Sequence, residues 1–489
     1  MPSSQNKKVI MLIIDTLMDT PIQAAQKRGE IPALQFLIEN GRYFPDLVCP
    51  FPTMSVNVDS TLLTGVYCDK HKVPGLVWYH AKEKRIVNYG SHVRELLKLG
   101  LKQSMIDIFY NYNHTHLSKE YKTIHEELKE KGLETASINA LLYRGSQPSQ
   151  LKIPFLLSFI TGLDRQLDTY KPDLFSYGVM HTLNPIKKKG QFWKKYGFND
   201  SFTGNELKYL ISENKLPAFT VAYFPDYDRR VHKHGRSDIT GLKKVDEQLQ
   251  DILNLFPSWD QALDDYTLVI LGDNGQASIN KDWKKAIIDL RKLLKSYKIV
   301  KLRQGVMPED DIVLGVNERM SYIYTLNPKK APLDDIAKLM QKDYRIDVIA
   351  LKKENTITVT SGNHNGQFRF RPKGDYIDEY GQSWFIEGDK DILDIKMIDQ
   401  TIHYREYPDA LRRLDAAFLS HAGEYMIVSA KPGYEFIGEG SPTHIGGASH
   451  GGLHKHDSLI SLIICGSESF PEYIRTVDIK DWIMSIVPN

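Results

Sequence analysis

The sequence predicts a doubly wound α/β fold, a mostly parallel sheet with helices on both faces, carrying an inserted α+β cap. Three observations lead there. Apolar runs of strand length alternate with helix-period segments through much of the first half, the pattern of a sheet covered on both sides. Acidic residues follow three of those runs, and in open α/β sheets ligands bind in the crevice beyond the strand ends. Near residue 280 the texture changes to helical stretches mixed with alternating strands, before a last buried strand. At 489 residues the chain exceeds the size at which one core stops growing. We read the excess as an insertion, with a core over 1–279 and 444–489 and a cap over 280–443.

The elements follow in order. Lys8–Ile14 reads as a first buried strand; Lys7 and Lys8 ahead of it superficially suggest a leader, but the apolar run is too short and ends at Asp15. Residues 34–40 read as a helix closed by Gly41. Residues 56–64 form another, stopped by Gly65, and 118–131 a third, with Tyr121, Ile124 and Leu128 on one face and Gly132 past its end. Strands are expected at 135–139, 218–224 and Tyr266–Leu271. Between the last two, Leu242, Val245, Leu249, Ile252, Leu253 and Phe256 mark a helical stripe. In the cap, Thr356–Thr360 and 367–371 read as a hairpin around the loop 361–366. Leu459–Cys465 returns to the main sheet. The apolar stretch 153–163 is far short of the ~20 residues that span a bilayer.

Composition narrows the function classes. Apolar content of 42% and charged content of 25% exclude disorder. A net charge of +2, with acids and bases interleaved, leaves no electrostatic footprint for nucleic acid or an anionic membrane. The run Lys187 to Lys189 reads as solvated surface that could guide an anionic substrate. Cys49, Cys68 and Cys465 are scattered, so neither a disulfide framework nor a thiolate metal site is expected, and a reducing cytoplasm fits.

The chemistry-bearing residues stand at strand ends. Asp15 ends the first strand, Asp226 and Asp228 follow 218–224, and Asp273 follows Tyr266–Leu271. An aspartate at any one of these places is commonly a turn or cap residue. Thr53, in Phe51-Pro52-Thr53-Met54-Ser55, sits at or just before a helix start, as an N-cap or where free amides and the helix dipole favour an anion. A threonine hydroxyl needs a base or a metal to become a nucleophile. Asp228 and His232 are four apart, on one face of a helix, and His450 would add a second imidazole; such an N/O set suits zinc. Asp226 fits that spacing less well. His454, His456 and His364 read chiefly as solvated loop residues.

In order, the chain supplies Asp15, Pro52-Thr53, Leu63-Thr64-Gly65 with His71-Lys72-Val73, Asp228 with His232, Asp273 with Gly275, and His450-Gly451. This series resembles the type I phosphodiesterase and nucleotide pyrophosphatase family of the alkaline phosphatase superfamily, over roughly 8–277 and 446–466. The resemblance implies two divalent metal ions. One would be held by Asp228, His232 and His450, with zinc expected; the other by Asp15, Thr53 and Asp273, with zinc or manganese. It also implies that Thr53 attacks phosphorus to give a phosphothreonine that water hydrolyses. Two positions depart from the family pattern. Asn274 replaces a histidine ligand, offering a neutral carbonyl oxygen that favours harder ions, and Leu76 falls where an asparagine touches a phosphoryl oxygen.

The expected protein is thus a metal-dependent phosphodiesterase acting on a small phosphate-containing substrate. A phosphomonoesterase or phosphonate hydrolase of the same superfamily, or a weakly active metal- and phosphate-binding protein, are the alternatives.

Overall fold

The computed structural model describes residues 7–184 and 195–488. The run Lys187 to Lys189 lies outside the described residues. In chain order the elements that build the site are β1 (Lys8–Ile14), α1 (Pro32–Glu39), β2 (Arg42–Val48), α2 (Ser55–Thr64), α3 (Ile124–Glu130) and β3 (Thr135–Ile138). There follow α4 (Phe155–Thr161), β4 (Leu174–Ser176), β5 (Phe219–Phe224), α5 (Asp226–His234), α6 (Ile239–Leu253), β6 (Tyr266–Leu271) and β7 (Leu459–Cys465).

The seven strands form one sheet in the order β2-β7-β6-β1-β5-β3-β4. Only β7 runs against the others, pairing antiparallel with both β6 and β2. The architecture is therefore mixed α/β around a mostly parallel sheet. Period-two alternation along β1 explains why helices cover both faces. Val9, Met11 and Ile13 pack with Val58 and Leu62 of α2, whereas Ile10, Leu12 and Ile14 pack with Leu34 and Leu37 of α1 and Leu242, Val245 and Leu249 of α6. Both faces of β1 are buried, which is why it reads as an unbroken apolar run.

Several boundaries differ from the sequence reading. The helix expected over 118–131 is confined to α3, because Thr123 closes it with a capping box: its hydroxyl accepts from the Glu126 amide at 3.2 Å, and the Glu126 carboxylate accepts from the Thr123 amide at 2.8 Å. Ahead of it lies a ten-residue π-helix, Asp107–His116, which the periodicity does not foresee. The helix expected at 34–40 begins two residues earlier, at Pro32, whose fixed φ suits a first turn. The strand expected through Asn139 stops at Ile138, since Asn139 takes φ of 55°. The 153–163 stretch holds the exposed helix α4, and among the described residues no helix is long and apolar enough to cross a membrane.

A second sheet of nine strands is built from residues between Ile312 and Ala430, within the stretch read as the cap. Thr356–Thr360 pairs antiparallel with Phe368–Asp378 as expected, with Phe368 and Phe370 buried and Arg369 exposed. The turn between its first two strands, Ile312–Asn317 and Met320–Thr325, carries Glu318 toward the main sheet.

Candidate metal and nucleophile centre

The parallel strands end on one rim, and their next residues converge there. Asp15 directly follows β1, and its amide donates to Phe224 O of β5 at 3.0 Å. The following residue, Thr16, has φ of 68°, a left-handed conformation that a β-branched side chain adopts only under constraint. It serves two strand ends at once: its amide donates to Asp273 Oδ1 at 3.0 Å and its hydroxyl to Asp228 Oδ1 at 2.9 Å.

Asp228 and His232 share one face of α5, with Asp228 Oδ1 at 3.3 Å from His232 Nε2. His450 Nε2 lies 4.0 Å from the same oxygen. Both imidazoles are oriented by backbone carbonyls: His232 Nδ1 meets Ala448 O at 2.9 Å, and His450 Nδ1 meets Thr53 O at 2.6 Å. Each Nδ1 donates, which leaves Nε2 as the nitrogen turned to Asp228 and able to take a cation in place of its proton. Ligand atoms of Asp228, His232 and His450 all lie within 4.8 Å of one another, as do those of His232, Glu318 and His444.

Thr53 is fully buried, and the N-cap of α2 is Met54, so Thr53 sits just before the helix rather than at its cap. Its hydroxyl accepts from the Gly451 amide at 2.8 Å. Thr53 and the His450-Gly451 step are thus locked together by two hydrogen bonds, one at each backbone. A donor aimed at this oxygen stabilises it most when it carries negative charge.

Beneath them Asp273 is buried, and its Oδ2 has no hydrogen-bond partner among the described residues. A buried carboxylate oxygen left open in this way fits a cation. Asn274 donates through Nδ2 to Asp273 Oδ1 at 3.0 Å and to Asp15 Oδ1 at 3.3 Å, while its carbonyl oxygen faces the Thr16 hydroxyl at 3.0 Å. The amide therefore ties two carboxylates together, and its oxygen is directed to Thr16. Gln276 completes the lattice by donating to Asp228 Oδ1 at 2.6 Å.

Electrostatics follow from this crowding. Burial, then repulsion by Asp228 and Asp273, pushes the Asp15 carboxyl well above its ordinary range, even though the Tyr223 hydroxyl donates to it. Burial also works against the Asp228 carboxylate, but His232 and His450 outweigh it and hold Asp228 below the ordinary range. Burial opposes charge on His232, yet Asp228 and Glu318 raise it to about 10. Glu318 falls to about 2 despite burial, because His444, His232 and His450 surround it.

The structure thus brings Asp15, Asp228, His232, Asp273, Asn274 and His450 to one centre and ties Thr53 to it through His450 and Gly451. Asp226 is set apart at the start of α5, its carboxylate accepting from the Asp200 amide at 3.0 Å and its own amide donating to the Asp200 carboxylate at 2.9 Å. His454 is buried rather than solvated: its side chain caps a short helix and lies 2.9 Å from Glu406, and burial lowers its pKa to about 3. His364 is exposed, as expected. Sequence reasoning missed Thr16, Gln276, Glu318, His444 and the exposed Arg229. Thr16 and Gln276 adjoin motif residues and were open to notice; Glu318 was not, since only the second sheet's turn brings it here.

A cavity of about 890 Å³ opens from these residues toward Tyr177, Met180 and α4. Cys49, Cys68 and Cys465 are buried and free.

The model of one protein family, described as type I phosphodiesterase / nucleotide pyrophosphatase, matches residues 9–453. No curated protein sequence matches. Among solved structures, human ectonucleotide pyrophosphatase / phosphodiesterase 5 is similar with a TM-score of 0.58 at 10% identity, covering 98% of this chain and 95% of that one. The murine counterpart, in an inactive form with AMP, gives 0.57 at 11% identity over 99% and 95%. Phosphonoacetate hydrolase from Sinorhizobium meliloti 1021, in complex with phosphonoformate, gives 0.55 at 12% identity over 99% and 96%.

Proposed function

We propose, from the premise that this chain belongs to the type I phosphodiesterase / nucleotide pyrophosphatase family of phosphoric ester hydrolases, that it cleaves phosphate diesters through a phosphothreonine at Thr53. The observation that carries this reading is the pair of bonds joining Thr53 to Gly451 and His450, beside Asp228 and His232. Thr53 Oγ1 attacks phosphorus, the ester oxygen opposite leaves as an alkoxide that takes up a proton, and water then cleaves the phosphothreonine. The Gly451 amide holds the attacking oxygen in place and favours its anionic form. The first amides of α2, which have no intrahelical partner, face the phosphoryl oxygens, and Arg229 at the cavity wall supplies a counter-charge.

In this reading Asp228, His232 and His450 hold zinc, while Asp15, Asp273 and Thr53 hold zinc or manganese, with Asn274 able to contribute its oxygen only after turning from Thr16. Divalent ions there supply Lewis acidity, neutralising charge on phosphoryl oxygens and lowering the pKa of an attacking hydroxyl. The lone Asp273 Oδ2 and the two outward Nε2 atoms support that fit. The division into core (1–279, 444–489) and cap (280–443) belongs to the same proposal, as does a cytoplasmic location, which three free buried cysteines favour.

The test compares diesters with monoesters in metal-supplemented protein. Diesters are expected to give the higher kcat/KM, since the segment Phe51 to Asp59 carries no arginine or lysine for a dianion. Thr53→Ala is expected to lower kcat at least a thousandfold, about 4 kcal/mol in barrier, with zinc binding at Asp228, His232 and His450 and the unfolding midpoint preserved. A variant within tenfold of wild type would remove Thr53 as nucleophile, and a monoester preference would make the protein a phosphatase.

A further inference from the structure

The 890 Å³ cavity beside the metal and nucleophile residues is far larger than a phosphate needs and lies in the range that accommodates whole ligands. Beyond the catalytic rim its walls are hydrocarbon and ring faces, including Met54, Leu76, Ile108, Phe109, Leu141 and Leu157. Several polar groups of the lining are engaged elsewhere, the hydroxyls of Ser55 and Tyr177 being among those left toward the cavity. The Tyr89 hydroxyl is held by His116 Nδ1 at 2.7 Å, and that of Tyr112 donates to Val56 O at 2.9 Å. The Tyr223 hydroxyl serves Asp15. Asn139 spends its amide on Gly197 O and Thr203 and its oxygen on the Gly178 amide. Ser91 donates to Glu95. Arg229 is the sole lysine or arginine among the described lining residues. Among the described lining residues a nucleobase edge would meet mostly hydrocarbon and engaged polar groups, and a second phosphate one guanidinium, which the cost of burying polar groups makes unfavourable.

The apolar surface continues outward. Pro154 and Leu157 line the cavity, and on the far side of the same short helix α4, Phe155 and Phe159 are 67% and 78% exposed, with Leu156 and Ile160 also open. Four large apolar side chains left in water on the helix whose Leu157 lines an apolar cavity form a surface that an apolar ligand would cover.

We infer that the substrate is a phosphodiester bearing a long alkyl chain, with phosphate at Thr53, the first methylenes in the cavity and the remainder along α4. This rests on the phosphodiesterase reading and adds the substrate class. Each methylene moved from water into the cavity favours binding by roughly fourfold, so chain length is the variable to change.

The experiment measures kcat/KM for 4-nitrophenyl n-alkyl phosphates from methyl to octyl, below their micellar concentrations, with 4-nitrophenyl thymidine 5′-phosphate as the nucleotide comparison. At least a hundredfold rise from methyl to octyl is expected, with octyl exceeding the nucleotide ester. Leu157→Asp is expected to reduce the octyl-to-methyl ratio below tenfold, and Leu157→Met to keep it. A second arm presents the octyl ester in phosphatidylcholine vesicles; faster turnover there than in free solution, lost in Phe155→Ser/Phe159→Ser, is the expected sign that α4 contacts the chain. A flat series with the methyl ester still cleaved, or a nucleotide preference, overturns the inference and leaves the phosphodiesterase reading standing. Failure to cleave any diester overturns both.

Discussion

At the residue scale the centre is defined by what sits between its carboxylates. Asp15, Asp228 and Asp273 come together without a basic side chain among them except His232 and His450, and Thr16, Asn274 and Gln276 fill the gaps with hydrogen bonds. On the proposed two-cation reading, an amide at Asn274 in place of an imidazole would weaken the second position while the first keeps its two nitrogens. Purified protein is therefore expected to hold one tight zinc equivalent at Asp228, His232 and His450, and to gain turnover on addition of manganese. In Asn274→His, zinc should bind the second position at least tenfold more tightly, about 1.4 kcal/mol, and the manganese response should shrink. Titration reading bound metal and turnover together decides it: two tight zinc equivalents in wild type, with no response to manganese, would mean the amide costs the site nothing. That Asp15, Asp228 and Asp273 converge was legible from their places after three strands, and Asp228 with His232 from their four-residue spacing, whereas Thr53, Asn274 and His450 stood out only through the order of the motifs. Glu318 and His444 were not legible, since their part depends on how a distant turn docks, and no local pattern records that.

At the scale of elements, two glycines explain why the motifs that contain them admit no other residue. Gly451 has φ of 102°, and a Cβ on it would stand 2.4 Å from Asn317 O and 2.6 Å from Met54 Cε. Gly275 would bring a Cβ within 2.5 Å of His456 O. The first therefore joins three elements: the approach to β7, the turn of the second sheet, and the start of α2. Gly451→Ala is expected to push its amide away from Thr53 Oγ1 and lower kcat by 10²–10³-fold, as loss of one aligned oxyanion donor does, while His450 and the zinc remain. Measurement of kcat alongside bound zinc checks this; a variant with normal kcat would show that the amide does not align the nucleophile. His71 of the His71-Lys72-Val73 segment has a structural part, with Thr61 Oγ1 at 3.1 Å from its Nε2 and the Val73 amide donating to its Nδ1 at 3.1 Å, and burial keeps it neutral with a pKa near about 3. Helix ends were legible where a glycine marked them, as at Gly65, and helix starts were lost both at a side-chain cap, Thr123, and at a first-turn proline, Pro32.

At the scale of the whole molecule the residues proposed to hold cations come from the ends of β1, β5 and β6 and the approach to β7, so a metal bound there would tie most of the sheet together. A cation that binds only the native chain stabilises it by about 4 kcal/mol at a thousandfold excess over its Kd. With the unfolding entropy usual for a chain of this size, that equals about 4 °C. Chelation is expected to lower the calorimetric midpoint by that amount, and zinc to restore it; an unchanged midpoint with activity lost would place the metal off the sheet rim. The parallel strands were legible as apolar runs because both faces are covered, and the second sheet's long pairings were mostly not, because register is a relation between distant segments. The placement of β7 has a consequence in time. Among the described residues β2 pairs with no strand of the main sheet but β7, and β7 is its last strand to be made. During translation at roughly 5–20 residues per second, β2 and the open edge of β6 wait tens of seconds while the entire second sheet leaves the ribosome. His450 emerges at the end of that interval, so the nascent chain carries the acidic residues of the centre long before His450 can join them, and the centre closes in the same moment that the sheet does.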